Sequence, residues 1–390
     1  MQQLRKKVII LTTLWSVLSL SAQQKSPYIS KVYDFQPAPG QFINVSPEYE
    51  PGDTREDIIR KVEELITGGE NHMISLGAYG GYVVFGFDHP VINVPGKPDF
   101  KVLGNVFANS VPGGLSENSE PGIVTVSYDA NGNGIPDDEW YELAGSEYNK
   151  PETIRNYRIA YYKPDENKTP APNLDYPALT DTTYIRWVDN QGNQGYVSGN
   201  TFHKQPYYPQ WLEADSLVFE GSRLADNYVV DGGGNYIRFA YDWGYVDNAP
   251  NAGDLSAFNI EWAVDKAGTP VNLSEIHFIK VYTAVNQYCG WLGESSTEVS
   301  GAVDLHPEAV ATAVTSPQPA DLTRLLGNPV KDRLLIVSPV RQTVHIFGYD
   351  GSKRMSFTVE SGTHVIPCSQ LPKGFYLLVS QSNTIKFSKQ

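Results

Sequence analysis

Cysteine is nearly absent, with two in 390 residues (Cys289 and Cys368). They fall in regions read below as different domains, which excludes a disulfide-stapled scaffold and leaves both as small buried apolar groups. Charge is sparse at 19% and biased to the acidic side, with a net charge of −14. That excludes nucleic acid and anionic membrane as partners, since both need a basic surface. No apolar run is long enough for a comfortable membrane span; the longest, Val8–Leu20, follows Arg5-Lys-Lys and precedes Ser21-Ala22. It reads as a secretory signal over 1–22, and no cysteine near the cleavage point offers a lipid anchor. Motifs for common chemistries are also lacking. There is no Gly-x-Ser-x-Gly, no His-Glu-x-x-His and no glycine loop before a helix, and the seven histidines have no metal-ligand spacing.

What is abundant is aromatic: 24 Tyr, 15 Phe and 7 Trp. After an extended Pro/Gly-rich lead-in, Ile58, Ile59, Val62, Leu65 and Ile66 recur at helical period. Asp53 and Glu56 precede them at capping-box spacing and Gly68-Gly69 ends them, which predicts one helix packed on a sheet. From Met73 to Val303 the pattern is β. Short β-branched and aromatic runs such as Tyr82–Phe87, Ile123–Val126, Tyr157–Tyr162 and Ile276–Thr283 alternate with Gly, Pro, Asn and Asp clusters. The expected fold is all-β, an antiparallel sandwich or jelly roll over 23–306. A Pro/Ala/Thr linker over 307–323 leads to a small Ig-like sandwich over 324–390. That tail holds nine Lys/Arg against three Asp/Glu, a net of +6 on an otherwise acidic chain.

The stretch Tyr128–Trp140 reads as a cation loop. Asp129, Asn131 and Asn133 alternate ahead of Gly134, Ile135 is placed to offer its carbonyl, and Asp137 or Asp138 can close the shell. Ca²⁺ takes six to eight hard oxygens, and this order supplies most of them; Trp140 stands where an EF-hand carries its bidentate Glu. The alternative is an Asn/Gly-rich hairpin loop that binds nothing. A calcium ion here would be structural.

Three aromatic clusters are candidates for a ligand site: His203, Tyr207, Tyr208 and Trp211 in the first, Trp243 and Tyr245 in the second, Tyr288 and Trp291 in the third. Flat rings beside amides and carboxylates in Gly/Pro-punctuated loops suit a flat or ring-shaped ligand, although each cluster alone also fits a sandwich core. Paired carboxylates for glycoside hydrolysis could come from Glu139, Glu142, Asp242, Asp247, Asp254, Glu261 and Glu294, but only three-dimensional separation would define such a pair.

Two resemblances add to this. Gly327-Asn-Pro-Val, Val344-His-Ile-Phe-Gly-Tyr-Asp-Gly, Leu371-Pro-Lys-Gly-Phe-Tyr-Leu-Leu and Lys386-Phe-Ser-Lys resemble the carboxy-terminal sorting domain of type IX secretion substrates in Bacteroidetes. That resemblance implies export to the outer surface or medium through the type IX machinery. Gly80-Gly-Tyr-Val-Val-Phe-Gly-Phe-Asp-His-Pro, Glu120-Pro-Gly-Ile-Val-Thr-Val-Ser and Asp137-Asp-Glu-Trp-Tyr-Glu-Leu-Ala-Gly resemble a set of Bacteroidales cell-surface proteins. Such proteins tend to accompany corrinoid uptake systems, which implies cobalamin as a ligand. The expectation is thus a secreted or surface-held, non-catalytic binding protein for a corrinoid or, alternatively, a glycan; a glycoside hydrolase is the further alternative.

Overall fold

A computed structural model describes residues 25–69, 72–106, 118–310, 323–325, 329–348, 351–381 and 383–390. The leader 1–22 and most of the linker lie outside the described residues. The chain is all-β, with antiparallel sheets and one α-helix, Arg55–Ile66, among the described residues. No described helix is long and apolar enough to cross a membrane.

The helix starts one residue later than the spacing of Asp53 and Glu56 predicts. Thr54 is the N-cap; its hydroxyl accepts from Asp57 N, and the Asp57 side chain returns to the cap backbone. Asp53 instead accepts from Lys61 Nζ at 2.7 Å and from Glu50 N at 2.7 Å, so its carboxylate is occupied outside the box. Two overlapping acid spacings, 53/56 and 54/57, made the register ambiguous; only the second pairs a hydroxyl with an acid three residues on. Ile58, Val62 and Ile66 are fully buried, as the helical period requires.

The body is built on a six-stranded sheet in the order Lys31–Gln36, Tyr82–Gly86, Phe278–Thr283, Gly122–Ser127, Trp140–Leu143, Ala263–Val264. One of its central strands, Phe278–Thr283, comes from near the end of the body. The sheet is therefore closed by long-range pairing. Alternate residues Val83, Phe85, Val124, Val126, Ile279 and Val281 enter one core with the helix. From the opposite face Ile123 and Tyr282 enter a second core, shared with the four-stranded sheet Gln194–Asn200, Leu179–Asp189, Ile154–Tyr162, Ser216–Arg223.

Tyrosine fills that second core. Tyr79, Tyr157 and Tyr161 are buried, and the Tyr161, Tyr207 and Tyr208 hydroxyls donate to the carbonyls of Tyr79, His203 and Ala214. A buried phenol costs little once its hydroxyl has a partner, so much of the aromatic excess is packing material.

The tail forms two small antiparallel sheets. One comprises Arg324–Leu325, Arg333–Ser338 and Gly362–Pro367; the other Lys353–Val359, Gln342–Gly348, Gly374–Val379 and Thr384–Lys389. They close over a core of their own that includes Leu334, Ile336, Val344, Leu378 and Phe387. Cys289 and Cys368 are free and buried, Cys368 within the tail core.

Candidate functional site

Three loops distant in sequence, around 41–46, 200–203 and 291–298, converge on a cavity of about 330 Å³. Asn200 shapes one wall: its Oδ1 accepts from the backbone N–H groups of Phe202 and His203, each at 2.9 Å. This turn sets Phe202 against Trp291 (ring centroids 5.6 Å apart) and His203 edge-on to Phe42 (4.5 Å). Phe202 is 60% and Trp291 40% exposed, so the rim presents apolar rings to solvent.

Gln41 ties the walls together. Its Nε2 donates to Leu292 O at 2.8 Å and to Glu294 Oε2 at 3.2 Å, while its backbone N–H donates to Glu294 Oε1 at 2.7 Å. Gly293 has φ +85°, and a Cβ there would stand 2.0 Å from Gln41 Nε2, so only glycine permits this clasp.

The floor is acidic and buried. Glu294, Ser296 and Glu298 alternate along an extended segment and line the cavity with Glu120 and Arg238. Glu120 pairs with the Arg238 guanidinium and accepts from Ser296 N at 3.1 Å. Behind them Asp247 accepts from Asn105 N at 2.8 Å and from Glu298 N at 3.0 Å. Asp247 adopts φ +52°, a left-handed conformation that Asp tolerates better than most residues. Glu120, Asp247 and Glu298 each place one oxygen within 4.8 Å of the others, a spacing that could hold a metal ion.

Burial governs the electrostatics of this floor. It pushes Asp247 and Glu294 up to about 7 and Glu298 well above the ordinary carboxylate range; Glu120 is raised too, with Arg238 pulling against the rise. At neutral pH Asp247 and Glu294 are thus partly protonated and can donate as well as accept hydrogen bonds. Burial also lowers His203, which favours its neutral imidazole.

Of the residues singled out in the sequence, His203, Trp291 and Glu294 line this cavity together, and Asp247 lies behind its floor. Tyr207, Tyr208 and Tyr245 are at most 3% exposed and have no face left for a ligand. The Tyr245 hydroxyl accepts from Glu147 N. Trp211 is half-buried near Phe35 and Tyr49 at the edge of the first core. Trp243 packs on Trp262, with ring centroids 4.6 Å apart, and Tyr288 is half-buried outside the cavity lining. Phe42, Glu120, Arg238 and Glu298 were not singled out. A signal was available for Glu298 alone: Glu294-Ser-Ser-Thr-Glu298 alternates acid, hydroxyl, acid at strand period, which puts three polar groups on one side.

The loop 129–138 is elsewhere and is organised by its own side chains. Asp129 accepts from Asn133 N at 3.1 Å and Gly134 N at 2.9 Å, and Asp138 accepts from Ala130 N at 3.0 Å. The Asn131 and Asn133 amides both donate to Asp137, at 3.2 and 3.1 Å. Ile135 is exposed, and Gly132 and Gly134 both have φ +70°.

No protein-family model matches the chain, and no curated protein matches it.

Proposed function

We propose that this is an exported, non-catalytic binding protein whose cavity receives one hydroxylated ring, a glycan residue being the ligand class that fits best. The observation that carries this reading is the pairing, within one cavity of about 330 Å³, of an aromatic rim with a floor of carboxyls. A sugar ring offers an apolar C–H face for stacking and hydroxyls that need both donors and acceptors. The volume lies near the lower end of the roughly 300–1,000 Å³ typical of small-molecule sites, which suits a single ring. A corrinoid, the ligand implied by the family resemblance, could enter only by its periphery and belongs in the same test.

Trp291→Ala and Phe202→Ala are each expected to weaken binding by about tenfold or more while leaving the melting temperature unchanged, because both rings are exposed. Wild-type affinity in both variants would refute the reading. The clustered carboxyls also favour a second reading, glycoside hydrolysis by a carboxyl pair. Turnover of aryl glycosides, lost in Glu298→Gln, would establish it in place of binding.

Export is supported by the basic-then-apolar leader and by the resemblance of the tail to type IX sorting domains, whose small self-contained core suits an address label. The loop 129–138 supports a structural Ca²⁺ bound through Asp129, Asn131, Asn133, Asp137 and the Ile135 carbonyl, with Asp138 beside them. Binding to the native state alone raises stability. Calcium is therefore expected to raise the melting temperature of the wild type and not that of Asp129→Ala; a wild type indifferent to calcium would overturn the assignment.

A further inference from the structure

A second hollow, of about 520 Å³, opens where the six-stranded and four-stranded sheets cease to touch. Strand register builds its base. Lys280 pairs with Thr125 and Thr125 with Glu142, so the three side chains form one row on the same face of the six-stranded sheet. The adjacent row on that face, Tyr282 and Ile123, closes the apolar contact between the sheets. Trp140, Tyr148, Arg155 and Ser222 wall the hollow.

The base is short of partners. The Lys280 ammonium lies over the Tyr82 ring at 3.9 Å and, among the described residues, has no hydrogen bond or ion pair. Asp34, the acid whose charge acts on it, is already held by Arg55 and the Tyr82 hydroxyl. The Thr125 hydroxyl is buried with no partner. Glu142 is bonded by the Ser222 hydroxyl at 2.6 Å, and burial pushes it up to about 7.

A half-buried charge without a direct ion pair is costly, and an aliphatic residue, such as the neighbouring Ile279 and Val281, would serve packing better. We infer that this hollow is a second binding site, for a hydroxylated ring bearing one carboxylate, an acid sugar of the uronate class. The carboxylate pairs with Lys280 and accepts from Thr125. Asn156, Asn190 and Glu220 face the ring hydroxyls, and Trp140 flanks the ring. A bare inorganic anion would leave most of the volume and the aromatic wall unused. The site shares no residue with the first cavity and stands or falls separately from it.

The test is calorimetric titration of the intact chain with D-glucuronate and D-galacturonate, with D-glucose as the neutral control. At least one uronate should bind saturably, about tenfold or more tighter than glucose. Lys280→Met should weaken uronate binding about a hundredfold and melt no lower than the wild type, because it removes an uncompensated charge. Thr125→Val, nearly isosteric, should weaken binding severalfold and carries the test if the Met variant does not fold. Absence of saturable uronate binding, equal binding of glucose, or normal uronate binding by a folded Lys280→Met variant or, failing that, by Thr125→Val would overturn the inference.

Discussion

Arg238→Ala is expected to destabilise the body by roughly 3–5 kcal/mol at neutral pH, the cost of leaving one member of a buried ion pair without its partner. Glu120 and Arg238 expose only 13% and 11% of their side chains, so solvent compensates poorly for the lost guanidinium. The fall in melting temperature should be on the order of 10 °C for a body of this size. Tryptophan fluorescence reports it cleanly, because every tryptophan except Trp15 lies between 140 and 291, within the body. The loss should shrink as the solution is made more acidic, because Glu120, already raised by burial, can protonate and shed the orphan charge. A loss below about 1 kcal/mol, the range of exposed pairs, would show that solvent reaches the pair.

A stability maximum on the acid side of neutrality is the second large effect. The Glu294 and Asp247 carboxyls rise from ordinary values of 4.5 and 3.8 to about 7 in the folded chain, mainly through burial. Between those limits the native state holds protons that the unfolded chain has released. The stabilisation is complete below the unfolded values and is lost as pH climbs to about 7, beyond which the curve flattens. Glu294 alone accounts for roughly 3 kcal/mol of this.

Acids such as Asp57, Asp181 and Asp231 are lowered by hydrogen bonds. They act in the opposite sense: their contribution is present above the unfolded value and lost as pH falls through their folded values. Together the two sets place the maximum near pH 4, about the unfolded values. Melting temperatures measured from about pH 5 to pH 8 should decline in the wild type and decline less in Glu294→Gln, which cannot ionise. A flat wild-type profile would mean that these carboxyls are hydrated.

The strands were the legible part of this fold. Gly122–Ser127 and Phe278–Thr283 are short runs rich in β-branched and aromatic residues, buried on both faces, and that composition is local, so each can be read as a strand without its partners. Lys31–Gln36 was missed as a strand because Tyr33 and Asp34 interrupt its alternation, and a register shift between Val32 and Asp34 shows the bulge responsible. The loop 129–138 was legible for the same local reason, since its ligand-type side chains bond within ten residues of one another.

The cavity was not. Gln41, Glu120, His203, Arg238 and Glu294 meet only through long-range pairing and loop closure, and the Glu294–Glu298 alternation, though local, does not say which other residues it faces. Aromatic richness was also ambiguous. Tyr207 and Tyr208 read much like Phe202 in sequence, yet the Asn200 turn sends Phe202 to the rim while the two tyrosines enter the second core.

The most direct measurement of the central claim is a fluorescence titration of the intact chain with neutral mono- and disaccharides and, separately, cyanocobalamin corrected for its absorption. It should be run on the wild type and on Trp291→Phe. At least one sugar is predicted to change the emission saturably, with most of that change lost in Trp291→Phe although binding persists by calorimetry, because a smaller ring still stacks. No saturable change with any sugar or the corrinoid, or an identical change in both proteins, would contradict a ligand site at the Phe42–His203–Trp291 rim.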